Sequence, residues 1–250
     1  VEEMRMEKPA RVVFDIETLA YPLASFDAQQ QEYLLRFART EEERNDALLK
    51  MNLSPFTARV IAVAMLNPDT LQGRVFYEHP GGQRTAIDDG LVELLPCAEE
   101  ELLTRFWDAV SHYPRIITFN GRAFDGPFLM LRSAMLGVPS TRNLVPHRFS
   151  AAEHCDLLEQ LTFYGATRKF TLDFCCKAFG IRSPKAGGIT GLDLGTLVGE
   201  GRYREVAEYC LGDVRATAEL FLLWEAFLSW ENERSRSEDR LLHMRRGSRA

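Results

Sequence analysis

The chain has 250 residues, 46% hydrophobic and 26% charged, the balance of a soluble globular protein long enough to bury a core without disulfides or a structural metal. Its net charge of −6 counts against a nucleic-acid binder, and the expectation is weak, local binding of a nucleic-acid end in place of tight wrapping of a duplex. Five cysteines, an odd number with no Cys-x-x-Cys pair, argue against a secreted disulfide framework and a zinc ribbon.

The first ten residues carry charges and no apolar run, so no signal peptide is expected. The longest clean apolar run, Val60 to Leu66, is far too short for a bilayer. A cytoplasmic location and no membrane association are therefore expected. Arg11 to Phe14 (RVVF) reads as a short buried strand ending at Asp15. Residues 27–50 are rich in Gln, Glu and Arg with interspersed Leu and Phe. They read as one or two amphipathic helices, with Thr40 and Glu43 as the capping box of the second. Arg59 to Leu66 and Arg74 to Tyr77 read as two further strands, turned between Asn67 and Gly73.

Glu99 to Val110 has a helical apolar face of Leu102, Leu103, Phe106 and Val110. Arg115 to Phe119 is a fourth strand. Gly126 to Leu136 is a helix opened by Pro127 and closed by Gly137. A short strand is expected to end near Asp156, which with Glu159 has helix-capping spacing. His154 beside Cys155 lacks zinc-ligand spacing. Thr171 to Phe179 is a helix with Thr171 as its N-cap and Gly180 past its end, and Arg202 to Trp230 is a long final helix. The polar tail 231–250 carries six Arg against four acids. The order implies an α/β layered sheet of mixed pairing.

Three stretches carry acids in suggestive places. In Phe14-Asp15-Ile16-Glu17-Thr18, Asp15 and Glu17 are two apart, so a strand projects both carboxylates from one face and Ile16 from the other. Such a like-charged pair is relieved by a hard, oxygen-ligated cation such as Mg2+ or Mn2+. Asn120-Gly121-Arg122-Ala123-Phe124-Asp125 follows the fourth strand, and Asp125 there also fits an ordinary helix cap. Tyr209-Cys210-Leu211-Gly212-Asp213 sets Tyr209 and Asp213 one helical turn apart on one face, equally the pattern of a core-edge tyrosine beside a solvated acid. The Gly-rich Lys185-Ala186-Gly187-Gly188 brings backbone and one point charge within reach of a phosphate, or is a surface loop.

Taken together, the three stretches resemble the DEDD exonuclease superfamily: an Asp-x-Glu on the first strand, an Asn-x-x-x-Phe-Asp, and a Tyr-x-x-x-Asp on a late helix. The tyrosine subclass is the nearer likeness, because Glu208 stands where the sister subclass has histidine. Phe119-Asn120-Gly121, Phe124-Asp125 with Pro127-Phe128-Leu129, Thr171-Leu172-Asp173 to Phe179-Gly180, and Tyr209-Cys210 with Asp213-Val214 resemble stand-alone relatives of the family B DNA polymerase proofreading exonuclease domain. The likeness runs over roughly residues 10–225.

The resemblance implies a ribonuclease H-like fold, a five-stranded mixed sheet flanked by helices. The exonuclease domain would span 8–230, with a helical insertion at about 20–55 and the tail 231–250 outside it. It implies a 3'-5' exonuclease with two divalent ions, Mg2+ or Mn2+, held by Asp15, Glu17, Asp125 and Asp213, with Tyr209 orienting the attacking water. Thr18, Asn120, Phe124 and Lys185 are the expected substrate contacts, Phe124 by stacking on a base. The expected partner is a single-stranded nucleic-acid 3' end, DNA ahead of RNA. Protein partners are not legible. A non-catalytic binding module on the same fold is the contrasting reading.

Overall fold

The computed structural model describes residues 10–149, 151–183 and 188–229. Lys185 and the tail 231–250, both named above, lie outside the described residues. A seven-stranded sheet organises the chain. The strands are β1 (Arg11–Ala20), β2 (Ala58–Leu66), β3 (Gly73–Glu78), β4 (Thr85–Ile87), β5 (Val92–Cys97), β6 (Arg115–Thr118) and β7 (His154–Asp156). Their spatial order is β4-β5-β3-β2-β1-β6-β7. The tight connection of β2 and β3 yields an antiparallel pair, as a short link requires, and β1 is also antiparallel to β2 although the helical insertion separates them. β6 lies parallel to β1, and β7 parallel to β6.

The expected five strands become seven. The two additions, β5 parallel to β3 and β4 antiparallel to β5, extend the far edge of the sheet. Pro96 hides β5 in the sequence, since proline supplies no ladder N–H. β4 pairs only with Val92 to Leu94, so Pro96 lies beyond that ladder and is tolerated. The first strand is also longer than expected. It continues past Asp15 to Ala20, which moves the Asp-x-Glu pair from the end of a strand to its middle.

Helices cover both faces. α3 (Glu99–Ser111) buries Leu102, Leu103, Phe106 and Val110, the face read from its periodicity, and α4 (Asp125–Met135) lies on the same side. α8 (Tyr203–Phe227) crosses the other face over β2, β1 and β3, with α5 (Leu157–Leu161), α6 (Leu172–Ala178) and α7 (Leu194–Gly199) around it. Along β1, Val13 faces the α8 side, while Val12, Phe14 and Ile16 enter the α3 side. β2 is buried on both faces, which is why its sequence is an unbroken apolar run. The insertion forms α1 (Ala28–Leu35) and α2 (Glu41–Lys50), the latter capped by the Thr40–Glu43 box, followed by a 3-10 turn at Met51–Leu53. Thr171 caps α6, and Gly137 and Gly180 close their helices at positive φ. All five cysteines are free thiols. Among the described residues, no helix is long and apolar enough to cross a membrane.

Candidate active site

Asp15 and Glu17 leave β1 on the α8 side, while Ile16 turns into the opposite core, as the strand period requires. Both acids are half-buried. Directly after Glu17 the register with β2 shifts: Glu17 faces Ala62, and Thr18 faces Val60. A bulge of this kind bends a strand and re-aims its side chains. The acids thus sit on an interior strand of the sheet, between β2 and β6.

α8 carries the partners. Tyr209 and Asp213, one turn apart, are both half-buried, and Tyr209 packs against the core on this face. Between them Cys210 is fully buried, with its thiol 3.5 Å from the Asp15 carbonyl oxygen. The ligand atoms of Asp15, Glu17 and Cys210 all lie within 4.8 Å of one another. The sequence offered no signal for Cys210, since a thiol inside an apolar helix face reads as packing. Glu208 points away from the group, is exposed, and pairs with Arg204 at 2.8 Å.

The turn after β6 brings in Asp125. β6 runs parallel to β1, so its exit opens at the same end of the sheet as Asp15 and Glu17. Asp125 is the first residue of α4, not its cap, and is 2% exposed. One of its carboxylate oxygens accepts from the Ile16 N–H at 3.1 Å, which fastens the turn to β1 between the two acids. Asn120 begins the turn at φ +68°, a left-handed conformation that asparagine tolerates. A Cβ at Gly121 would lie 2.4 Å from the Thr118 hydroxyl oxygen, so only glycine fits there.

Asp156 does more than cap α5. It accepts from Leu158 and Glu159 N–H at the helix start, as expected, and also from Asn120 N–H at 2.9 Å and Arg122 N–H at 3.0 Å. Arg122, in the middle of this turn, is 7% exposed. Its guanidinium donates to the Pro146, His147 and His154 carbonyls and pairs with Glu159. This network makes the Asp125 turn rigid. His154 belongs to the support as well. Nδ1 donates to the Leu144 carbonyl, leaving Nε2 to accept from the Thr118 hydroxyl, and burial holds its pKa down at about 3.

The electrostatics are those of crowded acids. Burial pushes the Asp15 and Glu17 carboxyls well above the usual range. Asp15 is raised further by Asp125, Glu17 and Asp213, and Glu17 by Asp213 and Asp125. Asp125 is pushed up to about 7, chiefly by burial, against the lowering effect of its backbone hydrogen bonds. The Tyr209 hydroxyl is raised by burial and by Asp213, Glu17 and Asp15. Asp125 and Asp213 thus act on the pair electrostatically, although they lie outside its 4.8 Å cluster.

Among the described residues, neither Asp15 nor Glu17 has a cationic side chain in an ion pair. Half-buried, mutually repelling oxygen donors without a protein cation fit a hard divalent ion such as Mg2+ or Mn2+. The Cys210 thiol is a soft donor, held protonated by its burial and by the acids, and suits such an ion poorly.

A cleft of about 580 Å3 opens beside Glu17, with Ile16, Thr18, Phe124 and Leu194 in its lining. Of the expected substrate residues, Thr18 and Phe124 therefore share a cleft with an acid of the pair. The Thr18 hydroxyl donates to the Asn52 carbonyl at 2.7 Å, and Phe124 packs half-buried against Phe128, with ring centroids 5.6 Å apart. Asn120 lines a separate hollow with Asp156 and Lys169, so it does not join them.

A mixed sheet with clustered carboxylates at the open end of two neighbouring parallel strands is an arrangement suited to a phosphodiester-cleaving nuclease domain. Over residues 53–241 the chain matches a family described as a predicted 3'-5' exonuclease related to the exonuclease domain of PolB, and it belongs to that family. Asp125, Tyr209 and Asp213 fall inside the matched stretch; Asp15 and Glu17 precede it. The chain is 25% identical over 181 residues to DNA polymerase 1 of Saccharolobus solfataricus, covering 64% of this chain and 19% of that protein. Its fold is similar to the family B DNA polymerase of Pyrobaculum calidifontis, with a TM-score of 0.55, 20% identity, and 89% of this chain but 25% of that one covered. The chain thus spans a quarter or less of either polymerase.

Proposed function

We propose that the protein is a metal-dependent 3'-5' exonuclease of the tyrosine type, acting on the 3' end of single-stranded DNA. One observation carries the reading: acids from β1, from the turn after β6 and from α8 are close enough to raise one another's pKa, and Tyr209 lies among them. A binding surface for phosphates gains nothing from such clustered negative charge. Family membership supports the nuclease reading. The exonuclease unit would occupy residues 8–230, with the helical insertion at about 20–55 and the tail 231–250 as additions.

Asp15 would be shared between two divalent ions. Glu17 and Asp213 would hold the ion on the side of the attacking water. Asp125, one oxygen of which is engaged by Ile16 N–H, would reach the other through its remaining oxygen or through water. Bound there, the ions would supply Lewis acidity to the attacking and leaving oxygens.

The chain's own residues do the rest. Water adds to phosphorus and the bond to the penultimate 3' oxygen breaks, releasing a nucleoside 5'-monophosphate. Tyr209 is too weak an acid to ionise near neutral pH, so its O–H stays neutral and orients the water by hydrogen bonding. Phe124 offers a face to the terminal base, and the Thr18 edge of β1 borders the same cleft. The tyrosine type is supported by Glu208, which points to solvent where the sister subclass has histidine.

The test is a 5'-labelled single strand of DNA, and one of RNA, incubated with Mg2+ or Mn2+ beside an Asp15→Ala control. The expected result is a ladder shortening from the 3' end of DNA, absent in the control. Shortening of RNA alone would make the protein an exoribonuclease on the same chemistry. Binding of either strand with no cleavage under either ion would make it a binding module.

A further inference from the structure

The helical insertion does not stand apart from the site. Its second helix and the 3-10 turn after it form one wall of the cleft that opens at Glu17, through Leu49, Lys50 and Leu53. Leu192 lies across the same cleft. Leu49, Leu53 and Leu192 are 46%, 63% and 72% exposed, apolar surface that no part of the described core covers. Lys50 is exposed and, among the described residues, makes no ion pair, although Asp46 lines the same cleft one turn earlier on α2.

The wall is fastened to the strand that carries the acids. Asn52 clamps it: its carbonyl accepts from the Thr18 hydroxyl at 2.7 Å, and its side-chain oxygen accepts from Ala20 N–H at 2.8 Å. Behind it, the Thr57 hydroxyl donates to the Met51 carbonyl at 2.6 Å, and Tyr21 N–H donates to the Thr57 carbonyl at 2.9 Å. The middle of the 3-10 turn is therefore tied directly to β1, one and three residues past Glu17, and its first residue is tied through Thr57 to Tyr21 just after the strand. The family match begins at residue 53, so α2 lies ahead of the matched stretch.

We propose that this wall is a nucleotide-binding subsite peculiar to the insertion. Lys50 takes a backbone phosphate of the departing single strand, and Leu49 and Leu53 pack against its sugar and base. The inference rests on the exonuclease reading above. It commits to a single strand because the cleft, at about 580 Å3, is of the size that holds a nucleotide-sized ligand and not a duplex. The charge of the lining is mixed: Lys50 is set against Asp46, one turn earlier on the same helix, and Glu17 at the inner end, so Lys50 marks the point on this wall where a backbone phosphate would be taken. The bland account of Lys50, a cation favoured in the last turn of a helix by the helix dipole, predicts an effect on melting and none on nucleic-acid binding.

The experiment uses the full chain and a 5'-fluorescein oligothymidylate, read by anisotropy over a salt series with Ca2+ in place of Mg2+. Lys50→Ala should weaken binding about fivefold and flatten the slope of log affinity on log salt by about 0.7, the value for one contact with a single-stranded phosphate. Lys50→Arg should restore the slope. Leu49→Ala with Leu53→Ala should weaken binding and leave the slope unchanged. In cleavage with Mg2+, Lys50→Ala should raise KM and hold kcat. Wild-type affinity and slope in Lys50→Ala, in a chain that still shortens 3' ends, overturns the subsite and leaves the exonuclease reading intact. A parent chain that neither binds nor shortens the strand overturns both.

Discussion

Tyr209 and Glu208 are neighbours on one helix with opposite surroundings. Tyr209 lies among carboxylates, and Glu208 lies in solvent on Arg204. Replacing Tyr209 by Phe removes only the hydroxyl, so kcat should fall by about 10²-fold, the low end for a group assisting proton movement. Glu208→Ala should stay within about twofold of the parent on the same scale. Steady-state cleavage of a labelled strand checks both, and equal loss in the two variants would remove Tyr209 from the water's side of the site. Asp125 gives a pH prediction. Its folded pKa of about 7 is raised from an ordinary 3.8, so the folded state binds a proton more tightly than the unfolded chain does. Without divalent ions, the stability it contributes is full below about 4 and is lost as pH climbs toward 7. A cation needs the ionised form, so its affinity should rise through the same window. Melting in EDTA at pH 5 and pH 8, repeated with Mn2+, reads this: the Tm drop seen in EDTA should shrink with the ion.

At the scale of elements, the turn from Asn120 to Asp125 is the part most dependent on its surroundings. Gly121→Ala would force a Cβ within 2.4 Å of the Thr118 hydroxyl and displace the N–H groups that Asp156 holds. A loss of about 1–3 kcal/mol in urea unfolding is expected, the usual cost of overpacking, and cleavage should fall with it because Asp125 hangs from this turn. Parent-like unfolding would mean that the loop relaxes freely. The pattern of residues made much of this scale legible. Period two placed Asp15 and Glu17 on one face, the Tyr209 and Asp213 spacing placed them on one stripe of α8, and Thr40, Thr171 and Gly137 marked helix ends. What escaped reading depends on partners distant in the chain. Arg122 looks like any turn arginine until Pro146, His147 and His154 surround it with carbonyls. Cys210 looks like packing until β1 puts Asp15 against it. β5 escaped because Pro96 contradicts a central strand unless the ladder beside it stops early.

Across the whole molecule, the site is bound up with the framework. Arg11, at the start of β1, pairs with Asp69 beyond β2 and with Glu225 near the end of α8, and stacks over Phe221, so the strand and helix that carry the acids are also locked at their far ends. The five strands from β3 to β7 through β1 form the platform, and β4 with β5 widens it on the side away from the acids.

The acids come from opposite ends of the chain, Asp15 near its start and Asp213 near its finish, with Asp125 between them on a turn that depends on β6 joining β1 in parallel. Such long-range pairings pay loop-closure entropy before their contacts reward it. If the cluster is completed only after the folding barrier, the repulsion and its relief are both met there. A cation that binds only the finished cluster should leave the refolding rate nearly unchanged and slow unfolding instead. Stopped-flow unfolding with and without Mn2+ reads this directly, and faster refolding in Mn2+ would mean that the acids gather early. Joining both ends of the chain at one cluster would thus make the ion a brake on the protein's opening, and metal supply would set how long each folded molecule lasts.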